Sequence, residues 1–349
     1  MLRHFTDSSF GKEHAMKKFL ALFFALLMLF SAASAKENDE YQGTVMLYTS
    51  AGKDVAESFK AVFEAKYPNV TLNYYADTSG KCNAKLSEEF DNNAVACDVV
   101  WLAEPSGLIE FKNQERLMKY KSFYAQDVDP HFKDPDGYYT GARILIMGLA
   151  YSQEASSGDK IPTNFDGLLD PAFKNKIIMS DPNSAGSAKA WVYGLTHNEK
   201  YGWDFFEALA AQNVVFDTSA SAVNAKIAEG KYKIAISPEH STLNEIAKGS
   251  PVAYQPTDDV LAIACPIAIP VGCPNEELAK LLYDFILDPE GGQASLPSFN
   301  ITPIIDGVEL PEGMKSASEI TANSVPVDWE DLADTGADMM DLFNSFFKK

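Results

Sequence analysis

Short apolar strands and amphipathic helices alternate along the chain, and this alternation limits the folds that it can adopt. The first series predicts strands at residues 44–48, 70–75 and 97–102, with helices at 54–67 and 81–90 between them. In the first helix, Val55, Phe59 and Phe63 recur at helical spacing, and Pro68 ends it. Strands joined by helices through short connections form a mostly parallel sheet with helices packed on its faces.

A second series of the same kind follows and extends the prediction to most of the chain. It predicts strands at residues 144–151, 176–179, 214–216, 234–236 and 261–271, and helices ending near Thr196, at 201–211, from 218 to Gly230, and at 275–287. The strand at 97–102 is continuous and apolar, as strands buried on both faces are. The expected fold class is therefore α/β, with two regions that each hold a mostly parallel sheet flanked by helices.

Composition excludes two broad classes of protein. With 46% apolar residues, including 22 Phe, 15 Tyr and 4 Trp among 349 residues, the chain has too much large apolar surface for a disordered protein. Its net charge of -20 and its lack of Lys/Arg clusters argue against nucleic acid as a partner, because phosphate contacts dominate that affinity. The length favours about two domains.

The N-terminal residues predict export. Residues 16–35 contain two lysines, an apolar run from Phe19 to Phe30, and a small-residue end at Ala33, Ser34 and Ala35. This is the layout of a secretory signal peptide, and the apolar run is too short to span a bilayer. We expect cleavage after Ala35, with residues 1–15 an upstream extension. Removal of residues 1–35 takes away four basic and two acidic residues, which changes the net charge from -20 to -22.

The four cysteines, Cys82, Cys97, Cys265 and Cys273, are predicted to be free. Cys82 and Cys97 fall at opposite ends of a helix and its following strand, roughly 15 Å apart at the helical rise, which is too far for a disulfide. No CxxC motif or Cys/His cluster suggests a metal site. We therefore expect neither a bound metal nor a cofactor.

Four predicted strand-to-helix turns carry small hydroxyl residues. They lie at residues 49–52, 77–80, 183–187 and 218–221. The unpaired N–H groups and the dipole of a helix N-terminus favour an anion or a polar ligand, and ligands of open α/β sheets bind at the carboxyl ends of the strands. The candidate ligand-binding residues in these turns are Thr49, Ser50, Ser79, Gly80, Ser184, Ser187 and Ser219.

Several longer stretches resemble one protein family. They are LYTSAGKDVAESFKAVFEAKYP, CDVVWLAEPSGLIEFKNQERLMKY, IPTNFDGLLDPAFKNKIIMSDPNSAGSA, KIAEGKYKIAIS, PIAIPVGCPNEELAKLLYDFILDPEGGQ and VDWEDLADTGADMMDLF. The sequence resembles the extracellular solute-binding proteins of ABC transporters, in the branch with ferric-iron, thiamine, 2-aminoethylphosphonate and phosphosugar binders. The stretches cover nearly all of the chain after residue 35, in family order.

The resemblance implies a two-lobed type II fold, a periplasmic location and a monomer that delivers its ligand to a membrane permease. The first lobe would hold residues 41–142 and 258–300 and the second residues 143–257, while the lobe that holds residues 301–349 is left open. Residues 141–151 and 258–271 would be the two hinge strands.

The resemblance leaves two ligand classes open. Iron binders of the family use two adjacent tyrosines, and His240 and Ser241 stand in their place here, so direct ferric binding is disfavoured. If iron is bound, the ligands would be Glu104, Glu239 and His240. The favoured ligand is a small anion, such as a phosphonate, a phosphorylated sugar or an organic acid, held at the helix N-termini. Those same three side chains would then contact an amine or hydroxyls at its other end.

An enzyme, such as a secreted hydrolase, is the competing class. His131, His197 and His240 lie outside the Gly-x-Ser-x-Gly and His-Glu-x-x-His contexts that would indicate hydrolytic chemistry. We therefore predict a binding protein without catalytic residues. Arg143 is a candidate cationic contact near the hinge, but a surface ion pair is its expected role.

Overall fold

The computed structural model describes residues 40–158 and 160–347. The predicted signal peptide and its cleavage site lie outside the described residues. Within the described part of the chain, no helix is both long and apolar enough to cross a membrane.

The described residues form one ten-stranded sheet with helices on its faces, as the α/β prediction requires. The strands are β1 (Gly43–Thr49), β2 (Val70–Ala76), β3 (Val99–Trp101), β4 (Thr140–Ser152), β5 (Ile177–Ser180), β6 (Val215–Asp217), β7 (Ile234–Pro238), β8 (Val252–Gln255), β9 (Leu261–Ala268) and β10 (Thr302–Pro303). The helices are α1 (Lys53–Lys66), α2 (Ser79–Asp91), α3 (Ser106–Asn113), α4 (Gly186–Thr196), α5 (Gly202–Ala210), α6 (Ala220–Ala228), α7 (Glu239–Ala247), α8 (Glu276–Leu287), α9 (Gly292–Ser295), α10 (Ala317–Thr321) and α11 (Trp329–Phe347). Short 3-10 helices lie at Phe123–Asp127, Pro130–Phe132, Phe165–Leu169, Pro171–Phe173 and Leu296–Phe299.

Two parallel three-stranded regions flank a pair of central antiparallel strands. The strand order is β2-β1-β3-β9-β4-β7-β5-β6, with β8 and β10 both paired to β4. β1 is parallel to β2 and β3, and β5 is parallel to β6 and β7. β9 is antiparallel to both β3 and β4, and β4 is antiparallel to β7. β4 and β9 thus lie where the sequence predicted the two hinge strands.

Each region has its own aromatic centre. In the first, Phe59 of α1 packs edge-on against Trp101 and Phe285, with ring centroids 5.5 and 5.4 Å away. In the second, Trp191 of α4 packs against Phe165 and Phe206 at 5.3 and 5.5 Å. Edge-to-face pairs of this kind add to the free energy gained by burying the rings. These centres hold the strand ends of each region in fixed positions.

The C-terminal helix α11 contacts elements of both predicted lobes. It packs on α3 in the first and on α4 and α5 in the second. The Tyr193 hydroxyl donates to Asp331 at 2.7 Å, and Lys112 Nζ lies 3.7 Å from the Glu330 carboxylate. The lobe boundaries given above remain predictions, and the segment after residue 300 is shared between the two regions.

The four cysteines are free, which confirms their prediction. Cys82, Cys97 and Cys265 are buried, and Cys273 is half-buried. Burial raises the pKa of Cys82 to about 12 and of Cys265 to about 11, so these thiols stay protonated and unreactive.

Candidate functional site

A cleft of about 310 Å³ lies at the carboxyl ends of the parallel strands of both regions. Strands β1, β2 and β3 end at it from one side and β5, β6 and β7 from the other. Its lining residues are Ser50, Ala51, Gly52, Lys53, Ala76, Asp77, Thr78, Ser79, Ala103, Leu145, Ser180, Ala185, Gly186, Ser187, Ser219, Ala220, Ser221, Pro238, His240 and Ser241. This is the position at which ligands bind in open α/β sheets.

Five helices begin at the wall of the cleft, and four of them have no side-chain cap. The N-cap residues of α1, α2, α4 and α7 are Gly52, Thr78, Ala185 and Pro238, and none of them accepts a hydrogen bond from its helix. Only α6 is capped, because Ser219 Oγ accepts from the N–H of Ala222 at 3.2 Å. The first N–H groups of a helix lack intrahelical acceptors, so these helices bring N–H donors and the positive ends of their dipoles to the cleft wall. In α2, one of these groups, the N–H of Gly80, already donates to the carbonyl of Ser184.

Five of the predicted ligand-binding residues line the cleft: Ser50, Ser79, Ser187, Ser219 and His240. The hydroxyl oxygen of Ser50 is buried without a hydrogen-bond partner among the described residues. Ser79 Oγ accepts from the N–H of Ala103 at 3.2 Å and retains its own proton to donate. The Ser219 hydroxyl caps α6. The composition of the turn alone could not distinguish a capping serine from one that contacts a ligand.

The other five predicted residues do not line the cleft. Thr49 is buried, and its Oγ1 accepts from the N–H of Ala51 at 3.1 Å. The N–H of Gly80 donates to the carbonyl of Ser184 at 2.9 Å, so these two residues join the two regions instead. Glu104 is buried and accepts from the N–H and hydroxyl of Ser106 at 2.6 and 3.0 Å. Glu239 lines a different cavity of about 460 Å³, together with Tyr254 and Lys315.

The alternative iron site does not assemble. In the part of the chain that the structure describes, no group of three or more His, Cys, Asp and Glu side chains is placed to hold a metal ion. Glu104 is held by Ser106, Glu239 lines the second cavity and His240 lines the cleft. Glu104, Glu239 and His240 therefore do not form the alternative iron site. Glu239 and His240 are neighbours at the start of α7, but they line different cavities.

Two features of the site escaped the reasoning from sequence. The sequence pattern predicts no helix after β7, whereas α7 begins at Glu239 and presents its N-terminus, which has no side-chain cap, to the cleft. Arg143 was expected to form a surface ion pair, and this is wrong. Its side chain is fully buried, and none of its three guanidinium nitrogens has a hydrogen-bond partner among the described residues.

His240 is the titratable ring in the cleft wall, and it is neutral. Burial, together with the positive charge of Arg143, lowers its pKa to about 3. A neutral imidazole carries one donor and one acceptor nitrogen. It can therefore hydrogen-bond to a ligand hydroxyl or acid oxygen without adding charge.

The two regions touch across the cleft. Lys189 Nζ of α4 donates to the Ser106 hydroxyl at 2.8 Å and lies 4.0 Å from Glu104. A Cβ atom on Gly186 would lie 2.8 Å from Ser79 Oγ and 3.0 Å from Glu104 Cγ, so only glycine permits this approach. These contacts close the site on one side.

A model of the bacterial extracellular solute-binding proteins matches residues 98–335, which is more than half of the chain. The chain belongs to this family. Members of the family are binding proteins, and this solute-binding protein has a cleft of the expected kind.

Relatives of this solute-binding protein differ in what their names say they bind. A protein of Salmonella typhimurium (strain LT2) named "Putative 2-aminoethylphosphonate-binding periplasmic protein" is 24% identical in an alignment of 325 positions that covers 88% of this chain and 93% of that protein. The periplasmic binding protein AfuA from Actinobacillus pleuropneumoniae, solved with exogenous fructose-6-phosphate, matches with a TM-score of 0.78 at 22% identity, covering 88% of this chain and 99% of that chain.

Iron-bound HitA from Pseudomonas aeruginosa has a TM-score of 0.71 at 18% identity, covering 87% of this chain and 99% of that chain. At these identities the structural likeness shows the fold alone, which is the two-lobed type II fold of periplasmic binding proteins.

Proposed function

We propose that this solute-binding protein is the ligand-capturing subunit of an ABC importer and binds a small anionic solute in the cleft. The supporting observation is the convergence of four uncapped helix N-termini, those of α1, α2, α4 and α7, on one space. Aligned peptide dipoles and free N–H donors stabilise a phosphonate, a phosphate ester or a carboxylate without a cationic pocket. Periplasmic relatives and the family match favour delivery of the ligand to a membrane permease.

Closure of the two lobes would complete the site. The contacts of Gly80 with Ser184 and of Lys189 with Ser106 join the two sides of the cleft and would be made or broken as the lobes move. Hinge closure around a ligand is a common response in two-domain binding proteins. The permease would then distinguish the closed, loaded form from the open one.

The proposal is tested by binding measurements on protein freed of any ligand from the expression host by unfolding and refolding. Thermal shift and isothermal calorimetry across aminoethylphosphonate, hexose phosphates, phosphoglycerate, dicarboxylates, thiamine and ferric citrate would identify the class. We expect stabilisation by an organophosphorus compound or an organic acid, since a ligand that binds only the folded state raises its stability. Stabilisation by ferric iron alone would overturn the proposal.

We infer that the protein binds this solute without converting it. Recovery of the unchanged compound after prolonged incubation, measured by phosphorus NMR, is the expected result, and release of inorganic phosphate would contradict it. The inferred export has its own check. Amino-terminal sequencing of protein from a periplasmic extract should begin at Lys36, and a chain that keeps its first 35 residues would refute cleavage after Ala35.

A further inference from the structure

Within residues 40–158 and 160–347, no carboxylate forms a salt bridge with the buried Arg143. It is fully buried, and its Nε, Nη1 and Nη2 atoms have no hydrogen-bond partner among the described residues. Its guanidinium lies 5.5 Å from the centre of the Trp101 ring, a cation–π contact that offsets only part of the lost hydration. Buried charges in folded proteins are paired or bound to an ion. Arg143 is not itself among the residues that line the cleft, so it acts there as a buried positive charge that the described residues leave unbalanced.

A β-bulge in β4 immediately precedes Arg143. β4 and β9 pair Gly141 with Pro266 and Arg143 with Cys265, so Ala142 is an extra residue that forms a bulge. Bulges redirect neighbouring side chains and are frequent next to functional sites. The freed carbonyl of Ala142 accepts from Nε2 of the buried Gln293 at 2.7 Å.

Gln293 is itself fixed. Its Nε2 also donates to the carbonyl of Ile286 at 2.7 Å, and its Oε1 accepts from the N–H of Ile304 at 2.9 Å. One hydrogen bond from Gln293 therefore holds the bulge at Ala142, and its two other hydrogen bonds keep the Gln293 side chain in place.

The charge of Arg143 acts on the cleft. Leu145, two residues further along β4, lines the cleft, as does His240, whose pKa is lowered by burial and by the Arg143 charge. Two hydroxyls in the cleft wall, Ser50 Oγ and Thr78 Oγ1, are also buried without a partner. The cleft wall therefore offers unpaired hydroxyl donors and the nearby charge of Arg143 to a ligand that carries acceptors and negative charge.

The described residues that line the cleft include no unpaired carboxylate that could bind an amine. Among the lining residues that the structure describes, the one acidic side chain is Asp77, which accepts from the N–H of Thr78 at 2.8 Å and pairs with Lys81 at 3.0 Å. Glu104 is buried outside the cleft on Ser106, and Glu239 lines the other cavity. An ammonium group in this cleft would lose its hydration and meet the charge of Arg143.

We propose that the ligand is a diacid without an amine: a phosphonate or phosphate ester whose second acidic group is balanced by Arg143. This inference rests on the proposed function. One oxyanion is held by the helix N-termini and hydroxyls, and the other lies at the end of the cleft nearest Arg143. Arg143 acts as a specificity-determining residue that selects a carboxylate over an amine at that end.

The test compares three probes that differ only in the tail. Calorimetry is run on the unmodified protein with 3-phosphonopropionate, propylphosphonate and 2-aminoethylphosphonate, which carry a carboxylate, a neutral and an ammonium tail. We expect the diacid to bind at least about ten-fold more tightly than the neutral probe, and the amine to bind most weakly. A dissociation constant for the diacid no lower than that for the amine, including no detectable binding of either, overturns the proposal.

Arg143→Met, which keeps the chain length but removes the charge, tests the residue itself. We expect the preference for the diacid over propylphosphonate to disappear, while the dissociation constant of propylphosphonate stays within about three-fold of its value in the unmodified protein. The melting temperature without ligand should rise, because an unpaired buried charge has been removed. Arg143→Lys should keep the preference in part. An unchanged preference in Arg143→Met overturns the assignment.

Arg116→Met is the matched control, because Arg116 forms a surface ion pair with Asp91 at 2.7 Å. The affinities of this variant for the three probes should match those of the unmodified protein. The ranking of the three probes needs no variant, so it decides the proposal even if Arg143→Met does not fold. Binding of another oxyanion from the wider panel without a diacid preference overturns this inference alone, whereas binding of ferric iron alone overturns the proposed function.

Discussion

His240 shows how burial and one neighbouring charge fix the state of a side chain. Its folded-state pKa is about 3, against 6.5 for an ordinary histidine. Between these values the unfolded chain binds a proton that the folded protein excludes, so acidification favours unfolding. The stability that depends on the neutral ring is full above pH 6.5 and falls as the pH drops towards 3.

We predict that His240→Asn reduces the acid sensitivity of the fold. Between pH 7 and pH 4.5 the unmodified protein should lose about 2 kcal/mol more free energy of unfolding than the variant does. Urea unfolding at the two pH values measures both losses, and the comparison removes the contribution of the carboxylates. Equal losses in the two proteins would show that His240 is not held neutral.

Arg143 marks the limit of reasoning from sequence at this scale. It lies in a run of apolar residues that correctly predicts a buried strand, but a lone arginine in such a run gives no sign of whether its charge is paired. The answer depends on the bulge at Ala142 and on Gln293, which is 150 positions further along the chain. Long-range packing of this kind leaves no local pattern.

At the scale of elements, the start of α4 lies in close contact with the other region of the sheet. Gly186 lies against Ser79 and Glu104 of that region, and a β-branched side chain there would overlap both. The backbone of Gly186 is helical and does not have a positive φ. A larger side chain is therefore tolerated within the lobe and excluded only by its neighbour.

We predict that Gly186→Val holds the lobes apart. Ligand affinity should fall by about a hundred-fold or more, since the overlap must be relieved by opening the cleft that closure completes. Small-angle scattering should show a larger radius of gyration with ligand present than in the unmodified protein. Ala225→Val, on the exposed face of α6, is the control. A normal affinity in Gly186→Val would contradict the close approach.

Many helix and strand positions followed from periodicity, although α3 and β8 were not predicted, and the ends of elements depended on capping. The predicted strands at 44–48 and 70–75 lie within β1 and β2, and the turns after them lead into α1 and α2. The start of α7 was missed because Pro238 gives no side-chain cap. The same missing cap makes that helix end available to a ligand, so a weak sequence signal and a functional site coincide here.

At the scale of the whole molecule, the net charge of -20 opposes an anionic ligand at long range. The local donors of the cleft act only over short distances, because they are dipoles and a few charges. Capture thus depends on contact inside the cleft, and the surrounding field slows the approach.

We predict that association becomes faster as salt is added. Raising ionic strength from about 0.01 M to 0.15 M shortens the screening length from about 30 Å to about 8 Å, which should raise the association rate constant of an anionic ligand by up to about ten-fold. Stopped-flow fluorescence of the buried tryptophans would follow it. A rate constant that falls with salt would mean that positive charge near the cleft dominates steering.

The overall architecture was largely predictable, because alternating strands and helices admit few arrangements. The packing of the C-terminal segment, which follows the alternating strands and helices, was not predictable in this way. Nothing in the periodicity of α11 indicated that it would contact α3 on one side and α4 and α5 on the other. Its partners are set by which apolar faces the earlier elements leave uncovered.

The pairing of β4 also determines when the protein can fold. Its 13 residues pair with β7, β8, β9 and β10, and the last of these ends at Pro303. A nascent chain that ends at residue 257 contains β4, β7 and β8 but lacks β9, so the edge of β4 at residues 140–147 would stay open. Closing loops of this length is slow. Completion of the central sheet therefore waits for nearly the whole chain, and during synthesis β4 needs protection from pairing with other chains.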